Sequence, residues 1–375
     1  MTEVKKNKKG VGLQNPNNTQ HKFPYEWALK DANFTKDKGT VFSCFACGGG
    51  STMGYKLAGF DVLGCNEIDP KMIEAYKENH KPKYAYLEPI QTFKLRKDLP
   101  KELYNLDILD GSPPCSSFSM SGNREKDWGK EKKFREGQAE QVLDNLFFDF
   151  IDLAKELQPK VVIAENVKGL LQGNAKEYVI NIYKEFDQAG YYCQHWLLDA
   201  SEMGVPQNRE RVFFVCLRKD LATDFLYFKD MFTEVPRLEL NFSEKKIKLK
   251  QLKNLFGINK PLQDRLKPNF DYCIENRCKD FAKYNEVVEN KRANFNWRLA
   301  FNDETPDTIT GGAKLIKEDA TYMNDSELCQ IGSYPLDYKF GKNKAEYLIG
   351  MSVPPVMTAQ IATKIYEQWL SKLLT

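Results

Sequence analysis

A cysteine that follows two prolines is the residue of this sequence best suited to chemistry. Asp107 to Leu109 resembles the end of a buried strand, and Gly111-Ser112-Pro113-Pro114 stops the strand and forces a loop. Cys115 comes next, at the edge where a parallel sheet places its reactive groups. A thiol held there is a candidate nucleophile. From this stretch alone, a small buried residue at a turn is an equal alternative.

A carboxylate follows another strand on the same edge. Val161 to Ala164 is an apolar run that predicts a buried strand, and Glu165-Asn166-Val167 lies at its carboxyl end. Further along, strands predicted at 191–198 and 211–217 form a hairpin around Gly204 to Arg211. The sheet therefore places Glu165 on the edge that carries Cys115.

The first strand runs into a glycine-rich turn. Val41 to Phe45 is apolar, Ala46-Cys47-Gly48-Gly49-Gly50-Ser51 follows, and a helix is expected through Ala58. Strand, glycine turn and helix open nucleotide-binding α/β units, although this turn is less specific than a full GxGxxG. Glu67, at the end of a second strand, occupies the position that binds ribose hydroxyls. Its alternative role is an N-terminal charge on the following helix.

The rest of residues 40–218 alternates strands and helices, which predicts an α/β fold with a doubly wound sheet. A third strand is expected near Tyr84 to Leu87. The polar stretch from Met120 to Gly137 predicts a mobile lid with basic groups. Amphipathic spacing and stop residues predict further helices, at 71–79, 142–157, 175–189 and 356–374.

Composition limits the class of protein. The chain has 375 residues, 42% of them hydrophobic, and a net charge of +3, which fits one large domain with or without a small one. Nine cysteines with no secretory signal indicate reduced thiols and a cytoplasmic protein. Cys44 and Cys47 form the one CxxC pair, so we expect no metal site. No apolar run is long enough for a membrane span.

Two segments lie outside the α/β pattern. Residues 1–39 begin with a lysine cluster that predicts a basic, mobile extension, within which Pro24 to Phe34 is expected to form a short docking helix. Residues 219–297 combine lysines with aromatic residues, a composition that suits phosphate contact and base stacking but also any small lysine-rich domain.

Taken together, these stretches resemble the cytosine-C5 DNA methyltransferase family of bacterial or phage type. The resemblance covers most of 40–218 and about 298–370, and its motifs occur in the family's order. They are Phe45-Ala46 with the glycines, Glu67, Pro113-Pro114-Cys115, Glu165-Asn166-Val167, Gln207-Asn208-Arg209-Glu210-Arg211, Arg298-Leu299 with Pro306-Asp307-Thr308, and Gly350-Met351-Ser352-Val353. Residues 219–297 fall where the family has its target-recognition domain, and 298–375 would complete the catalytic domain of 40–218.

The resemblance implies S-adenosylmethionine as cofactor and a cytosine flipped out of double-stranded DNA as substrate. Cys115 would add to C6 of the cytosine, which turns C5 into a nucleophile for the methyl group. Glu165 would hold the N3 edge, Asn166 would orient the strand end, and Arg209 and Arg211 would bind the cytosine O2 and its phosphates.

The same resemblance implies the remaining site residues. Cofactor contacts would come from Phe45, Ala46, Gly48, Gly49, Gly50, Glu67, Ile68, Ile90, Ser112, Pro114, Leu146, Ser352 and Val353. DNA contacts would come from Ser119, Ser121, Arg124 and Thr308. The sequence departs from the family pattern at Cys47, Pro89, Ser116 and Met351. None of these departures removes Cys115, Glu165 or the arginines, so we expect an active enzyme.

Other activities are less consistent with these residues. Ser112-Pro113-Pro114 also resembles a motif of amino-methyltransferases, but those enzymes need no thiol. A tRNA cytosine methyltransferase shares the catalytic residues, and a catalytically silent DNA-binding module would need no Cys115–Glu165 pair. Nothing near Cys115 suits the hydride transfer of a dehydrogenase. We expect a monomer that acts on double-stranded DNA and is associated with the nucleoid and not with a membrane. A cognate restriction endonuclease is its candidate partner.

Overall fold

A computed structural model describes residues 21–114, 131–132, 141–142, 145–172, 175–230, 233–291, 297–312 and 314–374. The predicted nucleophile Cys115 lies outside these ranges, as do the predicted DNA contacts Ser119, Ser121 and Arg124.

Seven strands form one mixed sheet. In chain order the strands of the described residues are β1 (Thr40–Cys44), β2 (Asp61–Glu67), β3 (Tyr84–Leu87), β4 (Ile108–Gly111), β5 (Glu131–Lys132), β6 (Gln141–Val142), β7 (Val161–Val167), β8 (Tyr191–Asp199), β9 (Glu210–Arg218), β10 (Leu226–Phe228), β11 (Glu234–Pro236), β12 (Trp297–Ala300) and β13 (Lys314–Lys317). The order in the sheet is β3-β2-β1-β4-β7-β9-β8, and the other strands form three short pairs outside it. All pairs from β3 to β7 are parallel, whereas β9 is antiparallel to both neighbours.

The strand sequences alternate between two buried faces. On β7, Val161 and Ile163 belong to one apolar core, and Val162 and Ala164 to the other. Because successive side chains point to opposite faces, a strand with helices on both sides must be apolar throughout. This pattern confirms the predicted doubly wound α/β fold, with the 191–199 and 210–218 hairpin in place.

Helices cover both faces of the sheet. In chain order they are α1 (Gly50–Ala58), α2 (Pro70–His80), α3 (Ile90–Phe93), α4 (Leu146–Leu157), α5 (Ala175–Gln188), α6 (Lys267–Glu275), α7 (Ala282–Val287), α8 (Asp325–Ile331), α9 (Ala345–Met351), α10 (Pro355–Ile365) and α11 (Ser371–Leu373). The helix predicted from residue 142 begins at Leu146, after the short strand β6. A π turn at Tyr366–Leu370 joins α10 to α11, so the predicted C-terminal helix is present.

The C-terminal helix packs directly on the first helix. A Cβ at Gly54 of α1 would lie 2.3 Å from the carbonyl oxygen of Pro355 and 3.0 Å from the amide nitrogen of Ala359. Trp369 and Ile365, on the same side as α10's buried residues, have no exposed surface. Residues more than 300 positions apart in sequence therefore form one layer of the core.

The expected helix over Pro24 to Phe34 is wrong. Only Leu29–Asp31 forms a single 3-10 turn. The rest is irregular, and its polar groups bond to the body of the protein: the Trp27 indole donates to the Ser333 carbonyl at 3.1 Å, and the Leu29 amide to Asp337 at 2.6 Å. Asp337 thus accepts from a backbone amide that a helix would pair within the segment.

A small second core lies within residues 267–317. Its buried members are Cys273, Phe281, Leu299, Phe301 and Ile316. The preceding stretch packs instead on the main core through Ala222, Leu238, Leu240 and Leu249. The boundary at residue 219 that was predicted for a target-recognition domain stays a prediction.

Candidate active site

The loop between β1 and α1 contains Gly48, Gly49 and Gly50 and packs closely against two neighbouring segments; we call it the glycine cradle. Gly49 has a φ of +92°, and a Cβ there would lie 2.1 Å from Nε2 of His80. At Gly50 a Cβ would lie 2.3 Å from the carbonyl oxygen of Val353. The glycines thus let the loop approach α2 on one side and the Ser352-Val353 segment on the other. Predicted cofactor residues from both ends of the chain meet here.

Glu67 ends β2 beside this loop and has 6% of its surface exposed. One carboxylate oxygen accepts from the Cys47 amide at 2.6 Å, and the other accepts from the Ile68 and Asp69 amides, both at 2.8 Å. Burial raises the pKa of Glu67, and the amide donors oppose that change. A carboxylate offers about four acceptor sites, so about one remains for a ligand hydroxyl.

Asp110 is a buried carboxylate that the sequence argument missed. Lying on β4, it accepts hydrogen bonds from Ser43 at 2.7 Å, Ser51 at 2.9 Å and Tyr55 at 2.9 Å. Burial raises the pKa of Asp110 to about 6, against the opposing effect of these hydroxyls. The network joins β1, α1 and the strand that leads to Cys115. The available signal was a charged residue within an apolar strand.

The backbone immediately before Cys115 is held by β7. Asn166, 4% exposed, donates from Nδ2 to the Pro113 carbonyl at 3.2 Å, and its Oδ1 accepts from the Val167 amide at 2.8 Å. The amide is therefore fixed at both ends. It ties the Pro-Pro turn to the strand that carries Glu165, and the catalytic role of Asn166 stays a prediction.

Glu165 and Arg211 form an ion pair at this edge. Arg211 Nε lies 2.9 Å from Glu165 Oε1, and the two side chains are 16% and 12% exposed. The antiparallel register of β7 and β9 places Val167 opposite Arg211, which brings the guanidinium back towards Glu165. Burial lowers the pKa of Arg211, and Glu165 opposes that change. A carboxylate and a guanidinium fixed together provide one acceptor and several donors for a polar ring.

Arg209 is engaged with the backbone. Its guanidinium donates to three carbonyl oxygens, those of Ile309 at 3.0 Å, Gly350 at 3.0 Å and Ser352 at 2.9 Å. The residue is 2% exposed, and burial lowers its pKa. These bonds link the start of β9 to the C-terminal segment that contains Gly350 and Ser352. The sequence had predicted a base or phosphate contact, and that contact stays a prediction.

The other predicted residues divide into two groups. Ile90 and Leu146 are almost fully buried in the core beneath the sheet, and Ser352 donates its hydroxyl to the Leu348 carbonyl at 2.8 Å. Phe45, Ile68, Ser112 and Pro114 are partly exposed around the cradle and the Pro-Pro turn. Thr308, a predicted DNA contact, donates its hydroxyl to the Asn208 carbonyl and so links the return segment to the hairpin.

Among the described residues, no helix is long and apolar enough to cross a membrane. Within the same residues, no group of His, Cys, Asp and Glu side chains is arranged to hold a metal ion.

Comparison with known proteins gives the family. The model of the C-5 cytosine-specific DNA methylase family matches residues 39–367. The Type II methyltransferase M.FnuDI of Fusobacterium nucleatum is 30% identical over 354 residues, which are 88% of this chain and 95% of that protein. M.Bsp6I of Bacillus sp. (strain RFL6) is 25% identical over 88% of this chain and 99% of its own length.

A solved structure shares the fold. An Escherichia coli prophage protein described as a DNA modification methyltransferase superposes with a TM-score of 0.59 at 20% identity, over 88% of this chain and 99% of that one. This chain belongs to the C-5 cytosine-specific DNA methylase family.

Proposed function

We propose that this DNA (cytosine-5-)-methyltransferase uses S-adenosylmethionine as donor and Cys115 as nucleophile, and that it acts on a cytosine flipped out of double-stranded DNA. The observation that carries the proposal is the coupling of Asn166 to Pro113 beside the Glu165–Arg211 pair. It fixes the turn before the thiol against the strand that holds the carboxylate.

The cradle around Gly48-Gly49-Gly50 fits the proposed cofactor. Side chains at Gly49 and Gly50 would collide with His80 and Val353, so only glycine lets the loop keep its close packing beside Glu67. Glu67 keeps about one acceptor site for a ribose hydroxyl; holding both hydroxyls, as the family resemblance implies, would need the Cys47 amide to give up its bond to the carboxylate. When bound, S-adenosylmethionine supplies an electrophilic methyl group.

The residues of the chain activate the base. The Cys115 thiolate forms a bond to C6, and the electron pair moves onto C5, which is then nucleophilic. Glu165 gives a proton to N3 as negative charge develops there and takes it back when the ring is restored, and Arg211 orients the Glu165 carboxyl and donates to the cytosine O2. After methylation a base removes the C5 proton, the C6–S bond breaks, and the thiolate is released.

Other thiols near the edge are poorly suited to this step. Burial raises the pKa of Cys44 and Cys47 well above the ordinary value, and neighbouring carboxylates add to the effect. The thiolate is the reactive form of cysteine, so these two residues are held as neutral thiols. This leaves Cys115 as the better nucleophile of the three.

A duplex with 5-fluorocytosine at the target should trap the enzyme. Fluorine cannot leave C5 as a proton does, so elimination stalls and the C6–S bond persists. We expect an adduct that survives denaturation, requires S-adenosylmethionine and maps by mass spectrometry to the peptide containing Cys115.

Cys115→Ala should abolish the adduct and still bind DNA, since phosphate contacts and base flipping do not need the thiol. An adduct that persists in Cys115→Ala, or one on Cys44 or Cys47, would contradict the assignment. Trapping by a fluorinated tRNA instead of DNA would move the substrate to RNA.

The role of Glu67 predicts a cofactor defect. Glu67→Ala should weaken S-adenosylmethionine binding by about ten- to a hundredfold, because a charge-assisted hydrogen bond is worth roughly 1.5–3 kcal/mol. Isothermal titration calorimetry measures the affinity, and circular dichroism checks that the variant is folded. Glu74→Ala, at a 60% exposed carboxylate on α2, is the control. Unchanged cofactor affinity in a folded Glu67→Ala protein would refute the role.

We further propose that this enzyme modifies host DNA beside a cognate restriction endonuclease, because the curated relatives described above are Type II methyltransferases. Bisulfite sequencing of DNA from a host cell that expresses the protein identifies the modified sequence. Methylation confined to one short sequence supports the proposal, and scattered methylation argues against it.

A further inference from the structure

Asp110 lies at the point where the chain reverses its direction across the sheet. In the order β3-β2-β1-β4, the chain extends the sheet from β1 to one side through β2 and β3, and then to the other side through β4. The crevice at the carboxyl ends of two such strands is where open α/β sheets bind ligands. Asp110 of β4 pairs in register with Ser43 of β1, and each is one residue from the end of its strand. The carboxylate therefore lies at the ligand-binding edge.

The Asp110 carboxylate is bonded to the residue that follows the glycine cradle. Ser51 comes directly after Gly50 in the first turn of α1, and its hydroxyl donates to Asp110 Oδ2 at 2.9 Å. Ser43 donates to the same oxygen at 2.7 Å, and Tyr55 of α1 donates to Oδ1 at 2.9 Å. Both carboxylate oxygens are thus held, and the position of the charge relative to the cradle is fixed.

This carboxylate has hydroxyl donors but no cation. It is 4% exposed, and within the described part of the chain no lysine, arginine or histidine pairs with it. The titratable groups that face it are Tyr55 of α1, Cys44 of β1, Tyr76 of α2 and Glu165 of β7. Burial raises the pKa of both tyrosines and of Cys44 well above the ordinary values, so these groups are neutral at pH 8. None of the four is positive.

A charge in this position lowers the stability of the fold. Burial raises the pKa of Asp110 from 3.8 to about 6, so between these two pH values the folded protein holds a proton that the unfolded chain has released. The contribution of Asp110 to stability therefore falls as the pH rises through this window, and at pH 8 the carboxylate is charged with that loss complete. A buried charge that destabilises the protein at a ligand-binding edge is typical of a functional group.

We propose that Asp110 supplies the negative charge by which this enzyme binds the sulfonium of S-adenosylmethionine in preference to the neutral thioether of S-adenosylhomocysteine. The inference rests on S-adenosylmethionine as the cofactor of the proposed function. The two molecules differ only in the methyl group and the positive charge on sulfur, so a hydrogen bond from Glu67 to a ribose hydroxyl does not distinguish them. A buried anion does, because charges attract strongly where water is excluded. By favouring the donor over the spent product, Asp110 reduces product inhibition.

The ratio of the two affinities isolates this charge. Asp110→Asn should weaken S-adenosylmethionine binding about tenfold at pH 8 and change S-adenosylhomocysteine binding by less than about twofold, so the preference for the donor falls about tenfold. A side chain that only supported the fold would affect both ligands alike. Isothermal titration calorimetry measures both dissociation constants, and circular dichroism checks that the variant is folded.

Tyr55→Phe is the matched control. It removes one hydroxyl donor from the same carboxylate and leaves the charge, so the affinity ratio at pH 8 should stay within about twofold of wild type. The wild-type protein provides a second test that needs no variant. Its preference for S-adenosylmethionine should fall as the pH is lowered from 8 to 5.5, because Asp110 is protonated below about pH 6. The same fall should be much smaller in Asp110→Asn.

An unchanged affinity ratio in folded Asp110→Asn overturns the inference, and so does a ratio that falls equally in Tyr55→Phe. If Asp110→Asn does not fold, the wild-type ratio decides, and equal ratios at pH 8 and pH 5.5 refute the role. In each of these cases binding of S-adenosylmethionine by the wild type leaves the proposed function intact. If the wild type binds neither ligand, the proposed function fails together with the inference.

Discussion

Replacing Glu165 by glutamine should lower kcat by about 10²–10³-fold while DNA binding persists. Glutamine has nearly the same shape but no acidic proton to give to N3, so the negative charge that develops on the ring in the transition state is left without a proton. Single-turnover methylation of saturating DNA measures the chemical step directly. Binding measured by anisotropy should change little, since the phosphates and the rest of the protein are untouched.

The control for this variant is Glu210→Gln. Glu210 begins β9 next to Arg211, but its carboxylate is 46% exposed and pairs with Lys168 at the surface. An exposed pair of this kind contributes about 0–1 kcal/mol, so Glu210→Gln should be almost as active as wild type. Equal rates for Glu165→Gln and wild type would remove Glu165 from the chemistry. Because Glu165→Gln also leaves the Arg211 charge without its partner, the active fraction of each preparation has to be titrated.

Replacing Arg209 by alanine should destabilise the protein by about 3–5 kcal/mol. The change deletes three charge-assisted hydrogen bonds and leaves the carbonyls of Ile309, Gly350 and Ser352 without their donor. Urea unfolding measures the loss, with cofactor protection as a second readout because Ser352 borders the cradle. Arg209→Lys should recover part of the stability, since an ammonium can reach some but not all of the three oxygens.

Arg218→Ala, at the other end of β9, serves as control because its carboxylate partner Asp220 is at the surface and its guanidinium donates to one backbone carbonyl, that of Gln158, and not to three. We expect it to cost about 1–2 kcal/mol, clearly less than Arg209→Ala. An Arg209→Ala protein with wild-type stability and weaker DNA binding would show that Arg209 contacts DNA rather than the backbone.

The sheet was predictable because its signals are local. Apolar runs such as Val161 to Ala164 are buried on both faces, and the residues that follow them necessarily meet at one edge. The short helix expected near Pro24 failed because distant residues, Ser333 and Asp337, supply the partners of that segment. No pattern within residues 24–34 shows those partners.

The candidate site also combines features that the sequence predicts with features that it does not predict. The positions of Glu67 and Asn166 followed from where strands end. Arg209 bonds to backbone carbonyls, whereas Arg211 pairs with a carboxylate. This difference could not be inferred, because two arginines of one motif look alike in the sequence. The buried Asp110 network likewise needs three hydroxyls from β1 and α1 to be understood.

The packing of α10 on α1 has a consequence for biosynthesis. The carbonyl of Val353 lies against Gly50, and α10 closes over Gly54, so the glycine cradle lacks one wall until those residues leave the ribosome. Translation proceeds at about 5–20 residues per second. The strands up to residue 218 are therefore synthesised on the order of ten seconds before α10, which packs on α1. During that time the apolar face of α1 is exposed on the nascent chain, and a chaperone bound there would prevent aggregation. We infer that the glycine cradle takes its final shape only after α10 has been synthesised and has packed on α1.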